Sequence, residues 1–375
     1  MQAGALLEQL RGRHPHWEFQ GVGGRCSRQA GLTLWADSTL WSIVGASEAL
    51  SRLPRGIFTY LWLRKKLLDY RADLTILIDS PAIHMRLARH LKKHGLRSVY
   101  YFPPSAWTQQ PARLREIHSR FDAVIPCFEL NARRYQQLQL EVAYFGHPLV
   151  DLFAPPSRAE ALEALGLPEG RYLAMLPGSR TQEIRLLLPP FLKAAEEVWR
   201  QRSEYTWLLP VANPALGRMI EAMMPENPPW IRRVENQSRA VMAVAEVGLL
   251  SSGSATLEAS LLGLPHLICY RLNRFDYWLG RLLIALGLLK VPRFGLPNLV
   301  IDADAVPEFL QHQVDPPVLA RHLVALLAGP ERERALADLA RVRQALGPPG
   351  AVQRVSQFIE RLAQGQTRSE ALREL

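Results

Sequence analysis

Short apolar runs of four to seven residues alternate along the chain with longer stretches whose apolar positions recur every three to four residues. This is the patterning of strand–helix–strand units in parallel sheets. In the first half the runs predict strands at 18–22, 75–78, 98–102, 123–126 and 142–145. Helical patterns cover 4–12, 42–69 (broken at Pro54) and 83–93. In the second half strands are predicted at 172–176, 206–210, 247–250 and 266–270. A final helix is predicted over 351–362, and the tail GQTRSEALREL reads as frayed.

The stretch GHPLVDLFAPPSRAEALEALGLPEGR separates the halves with glycines and four prolines. It predicts a domain connection. The expected organisation is an N-terminal domain at 1–152, a second domain at 153–345, and a C-terminal helix and tail at 346–375. Both main domains read as doubly wound Rossmann-like α/β folds facing a central cleft, because ligands of such sheets bind beyond the carboxyl ends of the strands.

Composition narrows the classes. Three widely spaced cysteines (Cys26, Cys127, Cys269) in 375 residues predict neither a disulfide framework nor a metal knuckle. The opening MQAGALLEQLRGRHP lacks the apolar core of a signal peptide. The most apolar stretch, WLGRLLIALGLL, contains Arg281 and falls short of the ~20 residues a membrane span requires. The 45 Lys and Arg residues against 35 Asp and Glu give a formal charge of +10. That sign suits an anionic membrane face or a phosphorylated substrate. Nucleic acid is not expected, since no motif of that kind is present and the basic residues are dispersed.

Three places carry candidate chemistry. Pro177, Gly178, Ser179 and Arg180 end an apolar strand and open a helix. A glycine there permits a close approach of backbone to ligand, the helix N–H groups favour an anion, and arginine grips two phosphate oxygens. Any strand-to-helix loop can hold Pro-Gly, so a plain turn is the alternative. A second strand ends in Ser251, Ser252, Gly253, Ser254 and Ala255 before a helix. Glu258, one turn beyond Ser254, suits the hydroxyls of a ribose; a solvated helix charge is the other reading. In the first half Asp79 follows a strand immediately, as a general base or as a helix cap. Ser105 and Trp107 of PPSAW suit a sugar or acyl surface or loop packing. His147 of GHPLVD reads as binding or structural.

These residues carry a resemblance. LPGSRTQEIRLLLPPFLKAA, GHPLVD, SSGSATLEASLLGLPHLICYRL, YWLGRLL, GLPNLVI and PEFLQ, with IDSP and PPSAW upstream, together resemble the lipid-A-disaccharide synthases, in order over nearly the whole chain. The resemblance implies a metal-free inverting glycosyltransferase with the two-domain GT-B fold and no cofactor. Its donor would be UDP-2,3-diacylglucosamine, its acceptor 2,3-diacylglucosamine 1-phosphate, and its products the β-1,6 disaccharide and UDP. It implies a peripheral site of action on the cytoplasmic membrane face. Asp79 matches the family's catalytic aspartate. Arg180, Ser254 and Glu258 match nucleotide-binding elements, Asn298 a residue lining the donor site, and Glu308 and Gln311 a motif with a binding role at most.

This chain departs from the family pattern in three places. The usual Ile-Asp-Ala-Pro-Asp-Phe-Asn becomes Ile78-Asp79-Ser80-Pro81-Ala82-Ile83-His84. Ser-Val-Trp-Ala-Trp-Arg becomes Ser105-Ala106-Trp107-Thr108-Gln109-Gln110. No first strand with a Gly-Glu-Ala-Ser-Gly-Asp loop precedes the first helix, so the native product is expected to begin upstream of Met1. These departures leave two alternatives: a related UDP-sugar transferase with another lipid or polyol acceptor, or a non-catalytic UDP-sugar-binding homologue.

Overall fold

A computed structural model describes residues 2–37, 53–224, 226, 228–285, 293–373 and 375. The chain divides into two α/β units: Met1–Leu152 joined by Leu346–Leu375, and Phe153–Ala345.

In the first unit five short parallel strands form two pieces of sheet. β1 (Gln20–Gly23) pairs with β2 (Thr33–Asp37), and β3 (Thr75–Ile78), β4 (Ser98–Tyr101) and β5 (Ala123–Ile125) pair in that order. These are the 3-2 and 4-5-6 portions of a doubly wound sheet, with no strand between them among the described residues. The period-two alternation of β4 explains how both faces are covered. Val99 and Tyr101 join Leu6, Leu10, Phe358 and Ile359 on one side, whereas Tyr100 joins Leu77, Leu87, Leu91 and Ile117 on the other.

The returning C-terminal segment is built into this unit. The Asp151 carboxylate accepts from Gly350 N (2.6 Å) and Val352 N (2.8 Å), and so caps the helix Ala351–Ala363. The tail is not frayed. Arg368–Arg373 is helical, Ala371 is buried, and Arg368 and Ser369 both donate to Glu141 (3.1 and 2.6 Å). Nor are residues 142–145 a strand. Ala143 N donates to Val124 O (3.0 Å), but the segment turns away at Gly146 before a ladder develops. The pattern over 42–69 forms the helix Leu53–Tyr70, and its portion before residue 53 lies outside the described residues.

The second unit is one parallel sheet of β6 (Arg171–Leu176), β7 (Tyr205–Val211), β8 (Ile231–Glu235), β9 (Ala245–Ser251), β10 (His266–Tyr270) and β11 (Glu308–Leu310). The order β11-β10-β9-β6-β7-β8 is the doubly wound order, and its switch point lies between β6 and β9. Leu173, Met175, Trp207 and Leu249 pack under the helix Thr181–Gln201, while Tyr172, Ala174, Leu208 and Leu250 pack against Leu162, Val241 and Ala259 on the opposite face. The helix tolerates Pro189 and Pro190 in its interior. Pro190 has no N–H for the carbonyl of Leu186, and that oxygen instead receives Arg271 Nη1 at 3.5 Å.

Candidate active site

In the second unit the site is built where two strands of the switch point end. β6 stops at Leu176, and the turn 177–180 leads into the helix Thr181–Gln201. Gly178 sits at φ +123°, and a Cβ there would lie 2.3 Å from a Glu183 carboxylate oxygen, so no other residue fits unless Glu183 moves. Glu183 is the unexpected member. Its Oε2 accepts from Ser179 N (2.9 Å) and Arg180 N (3.2 Å), and its Oε1 pairs with Arg180 Nη1 (2.9 Å). The two amides expected to await an anion are therefore taken by a carboxylate of the chain's own helix. Arg180 itself stays more than half exposed.

β9 ends one strand away at Ser251, and the helix Ser254–Leu262 begins after Gly253. A Cβ on Gly253 would meet nothing within 4 Å, so open space lies above this turn. Ser252 N donates to Cys269 O (3.0 Å) and Ser252 Oγ to Phe294 O (3.1 Å), tying the turn to β10 and to the loop before Leu296. Ser254 is exposed and Ala255 half-buried. Glu258 is not a solvated charge. It is buried and accepts from Arg239 Nη2 at 2.9 Å, so its charge is compensated inside the unit.

Three motif residues are engaged within the unit. Asn298 turns its side chain inward. It is 1% exposed, and its amide is fully engaged: Nδ2 donates to Val306 O and Glu308 Oε1 (2.7 Å each), and Oδ1 accepts from Ala305 N and Val306 N (2.8 Å each). Glu308 likewise faces inward, accepting from Phe294 N (3.0 Å) and Gly295 N (2.9 Å) as well as from Asn298. Together they fix the loop that receives Ser252. Gln311 donates to Leu272 O (3.3 Å) while its carbonyl accepts from Arg271 Nε (3.1 Å), again a loop-holding arrangement.

In the first unit Asp79 lies just past β3, exposed, with its backbone N–H donating to Tyr101 O (3.0 Å). The cap reading fails: Ser80 occupies the cap position of the helix Pro81–Lys93, and no side chain caps it. Asp79 (φ 56°), Ser80 (φ 44°) and Phe102 (φ 60°) are all left-handed at the carboxyl ends of β3 and β4. Such residues cost of order 1–3 kcal/mol each and gather where a side chain must be aimed. His84 touches this turn, its Nδ1 lying 2.7 Å from Asp79 O.

The other first-unit candidates are held within the fold. Ser105 Oγ accepts from Asn131 Nδ2 (2.9 Å). Trp107 is half-buried against the core, with Arg113 over its ring at 5.0 Å. His147 is held within the fold: it stacks on Phe128 (5.2 Å), accepts from Leu149 N at Nδ1 (3.1 Å), and is pushed down to about 4 by burial, which keeps it neutral. Glu183 was legible as the third residue after Arg180, the spacing of a capping box. Arg239, nineteen positions from Glu258, gave no local signal.

The family model described as Lipid-A-disaccharide synthetase matches residues 1–361. The chain belongs to the lipid-A-disaccharide synthase family. A lipid-A-disaccharide synthase of Syntrophus aciditrophicus is 35% identical over 361 residues, covering 95% of this chain and 93% of that one. Among solved structures, a putative UDP-N-acetylglucosamine 2-epimerase from Listeria monocytogenes has a TM-score of 0.62 at 13% identity, covering 96% and 92% of the two chains. The glycosyltransferase of kitacinnamycin has a TM-score of 0.57 at 16% identity, covering 96% and 95%. At those identities the likeness concerns the fold, which is the two-domain, Rossmann-like GT-B arrangement. For a lipid-A-disaccharide synthase family member, the paired turns at the β6–β9 switch point stand where that fold class binds its ligands.

Proposed function

We propose that the chain transfers 2,3-diacylglucosamine from UDP-2,3-diacylglucosamine to the 6-hydroxyl of 2,3-diacylglucosamine 1-phosphate, giving the β-1,6-linked disaccharide 1-phosphate and UDP. It is a UDP-sugar glycosyltransferase of lipid A disaccharide synthesis. The observation that carries the reading is the family match over residues 1–361, a span that includes both switch-point turns. Relatives bearing this name match over most of their own length, which disfavours both a different acceptor and a non-catalytic homologue.

The chemistry is a single displacement with inversion. Asp79 accepts the proton of the acceptor's 6-hydroxyl, the oxygen forms a bond to C1 of the donor sugar, and the C1–O bond to UDP breaks. UDP leaves as an anion. Arg180 and the N-terminal end of the helix Ser254–Leu262 meet its negative charge, electrostatic work of the kind that often dominates catalysis. Glu258 serves the ribose. No cofactor is assigned to the reaction.

The proposed place of action is the inner face of the cytoplasmic membrane, bound peripherally. No helix among the described residues is long and apolar enough to cross a membrane. The helix Arg274–Ala285 exposes Phe275, Trp278, Leu282 and Ile284, and Leu53–Tyr70 exposes Ile57, Phe58 and Leu61. With a formal charge of +10, such faces suit acylated substrates lying in anionic lipid. Incubation with radiolabelled UDP-2,3-diacylglucosamine and 2,3-diacylglucosamine 1-phosphate tests the reading. Labelled disaccharide 1-phosphate is the expected product, and UDP binding without any turnover would overturn it.

A further inference from the structure

We propose that His84 is a positioning residue for Asp79, clamping the left-handed turn that aims the carboxylate. The proposal rests on the reading of Asp79 as the base. Asp79 and Ser80 are consecutive non-glycine residues at φ 56° and 44°, a pair that relaxes unless something holds it. Two hydrogen bonds to the carbonyls of the turn come from one residue. His84 Nδ1 lies 2.7 Å from Asp79 O, and His84 N donates to Ser80 O (3.0 Å). A carbonyl can only accept, so the proton resides on Nδ1 and the imidazole is the donor.

The ring is itself fixed. It meets Tyr100 edge-on at 6.5 Å, and Tyr100 is fully buried and stacked on Phe121 at 4.6 Å. The half-buried ring therefore rests on the core through Tyr100. Burial holds the His84 pKa below its ordinary value, which favours the neutral ring. An asparagine at this position keeps the donation, because its Nδ2 falls close to the place of Nδ1, whereas alanine removes it.

The test compares His84→Ala, His84→Asn and Asp79→Asn in the full chain, reading kcat, KM for the acceptor, the UDP dissociation constant and the melting temperature. His84→Ala is expected to lower kcat by roughly 10- to 100-fold, the size of a misplacement on the ångström scale. The UDP dissociation constant is expected to stay within about twofold, as only the first unit is altered. His84→Asn is expected to recover most of the rate. Should His84→Ala fold poorly, the pair His84→Ala/Ser80→Gly decides, since glycine occupies the left-handed region without strain and recovers rate only if the clamp acts through the turn. Full activity of His84→Ala, or equal losses in the alanine and asparagine variants, would overturn the clamp while leaving the base intact. An active Asp79→Asn would overturn both.

Discussion

Glu183 caps the very turn to which Arg180 belongs, holding Ser179 N and Arg180 N with one carboxylate oxygen and the Arg180 guanidinium with the other. The glycine at 178 is the space this carboxylate needs. The turn is thus preassembled around an internal anion, and the arginine is held beside it. Arg180→Ala is expected to weaken UDP binding by about 1.5–3 kcal/mol, as for a hydrogen bond to a charged group. Glu183→Gln is expected to do the opposite, because it keeps an acceptor for the amides and removes the negative charge competing for Arg180. Calorimetric titration with UDP separates the two; equal weakening would mean that the carboxylate supports the site only through its charge.

Asp79→Asn is expected to abolish turnover with almost no change in UDP affinity or melting temperature. The shape is kept, the side chain makes no cap, and only the proton-accepting ability is lost. A variant retaining more than about a tenth of the parent rate would exclude a role of the size usual for a general base.

Asn298→Ala is expected to act on stability. It leaves Val306 N and Val306 O short of a partner in a buried loop, and takes one of two partners from Ala305 N and from Glu308 Oε1. At ~1–3 kcal/mol for each buried group left unsatisfied, and with partial relaxation, a loss of roughly 2–5 kcal/mol is expected in urea unfolding. The Ser252 turn, tethered to Phe294 O, loses its support as well.

What the sequence displayed follows the strength of the local pattern. β3 and β10 were legible to the residue, because each is an apolar run bounded by polar or turn-forming neighbours. β2, β8 and β11 were not. EFL is short, IRRVE mostly charged and TLWAD without a buried residue, and their strand character comes from a neighbour's backbone. Motif positions such as Arg180 and Glu258 were visible as residue types in the turns and helix starts that follow strands. Glu183 was legible only from its spacing to Arg180, whereas Arg239, and the inward turn of Asn298 and Glu308, are products of packing. A sequence motif marks where a loop matters, and it does not say whether a side chain touches ligand or holds the loop.

Acid is expected to unfold the protein through two histidines. His147 and His266 are both pushed down to about 4 by burial, against an ordinary 6.5. Between those values the unfolded chain takes up protons that the folded chain refuses, so stability is complete above about pH 6.5 and declines as pH falls toward 4. Each histidine contributes on the order of 3 kcal/mol to the decline if its shift is fully realised. His147→Asn, which keeps an acceptor for Leu149 N, is expected to flatten this limb in urea unfolding at pH 7 and pH 5. An unchanged slope would show that His147 is not one of the titrating groups.

Membrane association is expected to need both charge and the aromatic face of the helix Arg274–Ala285. Phe275 and Trp278 are 58% and 63% exposed, and Arg281 lies over the Trp278 ring at 5.6 Å, so a cation and an apolar surface share one patch. A modest apolar contact is too weak by itself, and a dispersed +10 charge is screened beyond roughly 8–10 Å at physiological salt. Flotation with anionic vesicles should therefore be strong at low salt, weak at high salt, and poor with neutral vesicles at either. Phe275→Ser/Trp278→Ser should reduce recovery at low salt without lowering the melting temperature, because both residues are exposed. Equal recovery on neutral and anionic vesicles would remove the electrostatic part. Undiminished recovery of the double variant would move the apolar contact elsewhere, with Ile57 and Phe58 as the next pair to change.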